Sequence, residues 1–206
     1  MQPSLGWTDL AFGGPRPVLV KPLAVARRSV EAVAEDTRRR LGLAPGAALE
    51  GAVAELGGRI LRGGPHLRFC GQRLAYAAEA QDRFEIRLLA PIPREQERLD
   101  VAHALGHHVL HDPALRERLG SAILTAAPAM ARPQDEDGQR ADLEAFWFAH
   151  QLLLPEALFR ASWADQAHDI SVEDRLHRLG TLFGVPTRSA EVRAERLGLQ
   201  RQLQAA

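Results

Sequence analysis

The stretch Arg98-Leu99-Asp100-Val101-Ala102-His103-Ala104-Leu105-Gly106-His107-His108-Val109-Leu110-His111 decides how the chain is read. His103 and His107 are four residues apart. On a helix that spacing sets two imidazoles one turn apart on one face, where both can reach a single metal ion. The hydrolytic form of the pattern is His-Glu-x-x-His, in which the Glu takes a proton from water on the zinc. Here the Glu position is Ala104. The stretch therefore predicts a metal-holding helix without its general base.

The flanking sequence gives this helix a setting. Leu99, Ala102, Leu105, Gly106, Val109 and Leu110 supply its apolar positions, Pro93 suits its first turn, and Asp112-Pro113 ends it. Gly106 allows another element to come close. Just upstream, Phe84, Ile86 and Leu88 alternate with Glu85 and Arg87, which predicts a strand over 83–89. Shorter strands are expected at 59–62 and 72–78, together a small antiparallel sheet. The last strand is read as an edge, able to pair with an extended peptide.

Helical patterns fill the rest. Pro22 opens one that Gly42 stops, and a second runs over 45–56. After the motif come a short helix over 114–127, a polar loop over 128–138, and a strong helix over 139–154. The last of these carries the stripe Ala145, Phe148, Ala149, Leu152 and Leu153. Helices over 155–163, from a Ser171 cap to Leu182, and over 187–197 follow. The order predicts an α+β fold, mostly helical, with the small sheet before the motif helix, and the His103/His107 spacing on that helix is what makes it zincin-like. It divides into an irregular arm (1–21), a metallopeptidase-like domain (22–170) and a helical pair packed on it (171–206).

Composition narrows the function classes. The chain has 206 residues, nearly half apolar, so a sizeable core is within reach. Its 26 basic and 26 acidic residues cancel, so no overall field draws it to nucleic acid or anionic membrane. No apolar run approaches the roughly 18 residues that span a bilayer. The first 22 residues lack the apolar core of a secretory signal. Cys70 is alone, which excludes an internal disulfide, and a reduced, cytoplasmic setting is expected.

Two histidines need a third protein ligand, most often a carboxylate. Asp142 and Glu144 are the candidates, about 200° apart on their helix, so both cannot face one ion. Asp142 precedes Ala145 by three and Ala149 by seven, which reads as the inward edge. Glu144, beside Trp147 and Gln151, reads as turned toward solvent. Asp142 is thus favoured and Glu144 is the alternative; otherwise both are helix-start carboxylates favoured by the dipole. His108 points about 100° away from His107, and His111 lies eight residues from His103, so both are expected at caps or on the surface. Tyr76, His150 and His168 could stabilise an oxyanion, though core or surface positions are the simpler expectation for each.

At this point the chain resembles the ImmA/IrrE family of zinc metallopeptidases. The stretch 98–111 is similar to the family's R-F-T-L-A-H-E-L-G-H-x-L-L-H. Asp142-Leu-Glu-Ala-Phe-Trp-Phe-Ala-His-Gln-Leu-Leu-Leu-Pro155 is similar to its E-x-E-A-N-x-F-A-x-x-L-L-M-P. The resemblance runs from about Pro22 to Leu199. It implies zinc on His103 and His107, with Asp142 at the position of the family's third ligand, a Glu. It also implies a cytoplasmic protein whose relatives cleave helix-turn-helix repressors, releasing mobile-element or stress-response genes. Three departures stand out: Ala104 for the base, Asp142 for a longer Glu, and Phe146 for the usual Asn. Losing the base should cost hydrolysis roughly 10²–10⁴-fold. An alanine installed to trap an inactive form and natural loss would look alike at 104; the shortened carboxylate leans toward natural drift.

Three functions follow from this sequence. One is a metallopeptidase-fold protein, inactive or strongly impaired, whose relatives cut a regulatory protein. Another is a non-catalytic regulator that keeps the fold, with zinc as a structural or sensing ion, to bind a protein partner. The least favoured is DNA binding through 176–197, where Arg188, Arg193 and Arg196 could meet phosphates, although Glu191 and Glu195 offset their charge.

Overall fold

A computed structural model of the chain describes residues 22–62, 74–78, 83–88, 91–111, 113, 136–166 and 170–200, with the backbone alone at 74–78. The elements in order are α1 (Arg27–Arg40), α2 (Glu50–Glu55), β1 (Gly58–Arg62), β2 (Leu74–Ala78), β3 (Phe84–Leu88), α3 (Arg94–Leu110), α4 (Glu136–Leu153), α5 (Glu156–Ala164), α6 (Val172–Phe183) and α7 (Thr187–Arg196). The fold is α+β, mostly helical, with the small sheet placed before the motif helix. The arm at 1–21, the helix expected at 114–127 and Cys70 lie outside the described residues. Of the loop expected at 128–138, residues 136–138 are the first turn of α4.

The sheet has the order β1-β3-β2. β2 runs antiparallel to β3, with Tyr76 opposite Ile86. β1 runs parallel to β3, with Ile60 opposite Ile86, so the sheet is mixed rather than antiparallel. β3 is the central strand, which corrects the expectation that it is an edge. The reason is physical. Side-chain alternation reports which face of a strand is buried, whereas edge or centre is decided by backbone groups that carry no sequence signal. The alternation itself holds: Phe84, Ile86 and Leu88 are buried. Glu85 is buried too, because the Arg59 and Arg87 side chains bond its carboxylate.

α4 packs most extensively against α3 and next against α1. Val30 and Ala34 of α1, Leu105 of α3, Phe148 and Leu152 of α4, Phe159 of α5, Leu179 and Phe183 of α6, and Ala190 and Ala194 of α7 belong to one continuous core. α6 starts as its sequence predicts: the Ser171 hydroxyl accepts the Asp174 N–H at 3.0 Å and donates to the Asp174 carboxylate at 2.6 Å. It stops at Gly184, whose left-handed φ of 62° suits a residue without a side chain.

α1 begins at Arg27, five residues after the expected start. The Leu23 and Ala24 N–H groups are bound by the Glu144 carboxylate at 2.8 and 3.0 Å, and Ala24 takes a left-handed φ of 55°. The left-handed turn at Ala24 takes the backbone off the helical path, and Glu144, 120 residues away, holds it there through the two N–H groups.

Candidate metal centre

The site is made where α3 crosses α4. Gly106 permits the crossing: a Cβ there would meet the Ala145 Cα and carbonyl oxygen at 2.9 Å. At this separation Asp142 on α4 comes level with the Nε2 atoms of His103 and His107 on α3. His103 Nε2 lies 3.1 Å from His107 Nε2 and 3.1 Å from Asp142 Oδ1. His107 Nε2 is 3.9 Å from the same oxygen. The three candidate ligand atoms all fall within 4.8 Å of one another. A tetrahedral ion with ligand distances of about 2.0–2.1 Å separates its ligand atoms by about 3.3 Å, so two imidazoles and a carboxylate at these spacings fit a divalent metal.

Electrostatics favour the ligand forms. Burial pushes the His107 pKa down to about 4, against an opposing pull from Asp142, and leaves a neutral imidazole near pH 7. Burial tends to raise the Asp142 pKa, but the imidazoles of His103 and His107 beside it outweigh burial and hold the carboxyl below the usual range. A cleft of about 780 Å³ opens beside Asp142, walled by Pro22 and Ala24 on one side and by Arg140, Leu143 and Phe146 on the other. Ala104 is fully buried in the core next to these groups and offers no proton acceptor.

Glu144 is placed differently from its expectation. It is fully buried and turned away from the two histidines' Nε2 atoms, while Asp142 is the partly exposed member of the pair. The apolar stripe runs through Ala141, Ala145, Phe148 and Leu152, and Glu144, four before Phe148 and eight before Leu152, faces the interior. Asp142 joins the cluster from the cleft side of that stripe.

His111 also departs from expectation. It occupies the C-cap position of α3, as expected, but it is completely buried rather than at the surface. Its Nδ1 lies 3.1 Å from His107 Nδ1, and its Nε2 lies 3.2 Å from Glu144 Oε2. The signal was in the sequence: His103, His107 and His111 repeat every four residues, drifting about 40° per step. The drift takes His111 off the ligand face but keeps it against His107.

Among the described residues, His108 and His150 are not members of the three-residue cluster. His108 stacks on Phe84 with ring centroids 3.9 Å apart. His150 is buried against Phe146, and burial, with Arg196, Arg193 and Arg27 nearby, pushes its pKa down to about 3. The backbone at Tyr76 pairs within the sheet, and His168 is outside the described residues. Of the arginines considered for phosphate contact, Arg193 is 1% exposed and bonded to Gln151 and Glu31. Arg188 pairs with Glu191 at 2.6 Å, and Arg196 lies over the Phe146 ring.

The fold and this cluster define a zincin-like domain carrying a metal-type His-x₃-His helix and a carboxylate from the next long helix. The family model of the IrrE N-terminal-like domain, peptidase M78, matches residues 85–195, more than half of the chain, and the chain belongs to that family. A solved structure of a Mycobacterium tuberculosis transcriptional regulator shares the fold, with a TM-score of 0.51 and 17% identity. The match covers 79% of this chain and 45% of that one, so the chain spans less than half of the regulator's length. No curated protein matches the sequence. Among the described residues no helix is long and apolar enough to cross a membrane.

Proposed function

We propose that this is a metallopeptidase-fold regulatory protein that holds zinc through His103, His107 and Asp142 and is hydrolytically impaired because Ala104 stands where the general base belongs. The observation that carries the reading is the convergence of His103 Nε2, His107 Nε2 and Asp142 Oδ1 from two helices. Zinc bound there would supply Lewis-acid polarisation of a scissile carbonyl. His103 and His107 supply neutral nitrogen donors, and Asp142 supplies the negative charge. At 104 no side chain can take a proton from attacking water, so cleavage should fall roughly 10²–10⁴ below that of a glutamate-bearing relative. Membership of the family and the regulator-like fold support a partner of the helix-turn-helix repressor class, bound in the cytoplasm. The burial of Arg193 and the pairing of Arg188 argue against a phosphate-binding face on α7.

The test has two stages. Elemental analysis of the purified protein should find about one zinc per chain, and none, even after incubation with zinc, would overturn the proposal. The variant A104E, checked for folding by its melting curve, should then cleave a labelled helix-turn-helix repressor that the parent protein leaves intact. A folded, zinc-bound A104E without cleavage favours the second reading, a partner-binding regulator in which the ion is structural.

A further inference from the structure

Glu144 is outside the metal-type cluster, yet every group around it fixes its chemistry. Its Oε2 accepts the Leu23 N–H at 2.8 Å, and its Oε1 accepts the Ala24 N–H at 3.0 Å and the Arg140 Nε–H at 3.4 Å. All three partners can only donate, so both carboxylate oxygens act as acceptors. With Glu144 as a carboxylate, His111 Nε2, 3.2 Å from Oε2, carries the proton of this contact. A neutral imidazole protonated at Nε2 keeps its lone pair at Nδ1. That lone pair faces His107 Nδ1 at 3.1 Å, which must in turn be the donor. The lone pair of His107 is thereby left on Nε2, the atom directed at His103 and Asp142.

We propose that Glu144 and His111 form a buried positioning relay that locks His107 in its Nδ1–H tautomer, so that Nε2 is presented to a divalent metal before any metal arrives. The relay begins on the backbone. Leu23 and Ala24 direct successive N–H groups at one carboxylate, and Ala24 also borders the cleft beside Asp142. The way the chain enters α1 is thus connected, through Glu144 and His111, to the orientation of a metal-binding imidazole. Partners behind a ligating histidine set its tautomer and basicity in metal sites generally. Here the partner is a second histidine, with the carboxylate one step further back.

The tautomer stands independently of the zinc proposal, whereas the affinity arm of the test rests on it. Long-range proton–nitrogen correlation spectra of the full-length, metal-free protein, with histidine labelled by ¹⁵N, read the protonated nitrogen of each ring. The expected result is His107 protonated at Nδ1 and His111 at Nε2. His107 protonated at Nε2, the outcome if His111 carries protons on both nitrogens, would overturn the relay. In a second arm Zn²⁺ is titrated against a chromophoric chelator. H111F should bind it about 10–100-fold more weakly than the parent. H111N, whose carboxamide oxygen can accept from His107 Nδ1, should recover most of the loss. A folded H111F that binds Zn²⁺ as the parent does would also overturn the relay. A parent protein that binds no Zn²⁺ would instead refute the metal-site proposal, and the spectra of the metal-free protein would still decide the relay.

Discussion

Asp142 and Glu144 are two residues apart on one helix and have opposite tasks. Asp142 borders the cleft and meets His103 at 3.1 Å; Glu144 is sealed inside with backbone N–H groups and His111. Their variants should separate accordingly. D142A should lose Zn²⁺ affinity by more than the roughly 10–100-fold that follows loss of a residue behind a ligand, with little change in the stability of the metal-free protein. D142E should retain binding, and isothermal titration distinguishes the two. E144A should destabilise the metal-free protein by roughly 1–3 kcal/mol in urea, because the buried His111 loses its acceptor and the Leu23 and Ala24 N–H groups, on a more exposed stretch, lose theirs. His150 gives a pH prediction at the same scale. Its folded pKa of about 3 lies below the ordinary histidine value of 6.5, so the unfolded chain binds the proton first as pH falls. Its contribution is fully present above about pH 6.5 and is lost as pH falls toward 3. Urea midpoints of the metal-free protein should therefore drop between pH 7 and pH 4.5, and less steeply in H150N.

At the scale of elements, the α3–α4 crossing sets the distance between the histidines and the carboxylate. A methyl group at Gly106 would meet two Ala145 backbone atoms at 2.9 Å, and backbone cannot yield as a flexible side chain can. Alanine gains about 1 kcal/mol of helix propensity over glycine, but overpacking costs about 1–3 kcal/mol and here spreads the helices. G106A should consequently weaken Zn²⁺ binding even where its melting temperature falls by only a few degrees. G51A on α2, where a Cβ meets nothing within 4 Å, is the control and should leave binding unchanged. The α3, α4 and α6 positions were legible from apolar spacing, proline and capping residues, and the structure places them within a few residues of expectation. The start of α1 and the central position of β3 were not. Both depend on where backbone donors find acceptors, and those acceptors belong to residues distant in sequence.

Across the whole molecule, a buried polar network ties the last helix to the first and fourth. Arg193 bonds Gln151 and lies 3.5 Å from Glu31, and Gln151 also reaches Glu35 on α1. R193A would leave these groups without their cation and should cost on the order of 3–5 kcal/mol. The melting curve measures it, and a loss below 1 kcal/mol would show that the network is not needed to hold α7. A ligand bound by the folded state alone adds stability, about 2.7 kcal/mol when free ligand is 100 times its dissociation constant. Adding Zn²⁺ should therefore raise the melting temperature of the parent and of R193A by similar amounts, since Arg193 is not part of the His103–His107–Asp142 cluster. The same addition should leave D142A nearly unmoved.

The sequence by itself determined the helix that carries His103 and His107, the alanine at 104 between them, the α+β order and the helix that carries both Asp142 and Glu144. Each of these is written in local spacing: 3.6-residue periodicity, a four-residue interval, a proline or a capping serine. Only the tertiary structure decided that Asp142 faces the cleft while Glu144 is buried, that β3 is central, and that His111 stands behind His107. Helical spacing fixes the angle between two side chains on one element. What lies opposite each of them is set by how closely α3 and α4 pack at Gly106 and by which distant N–H groups Glu144 captures.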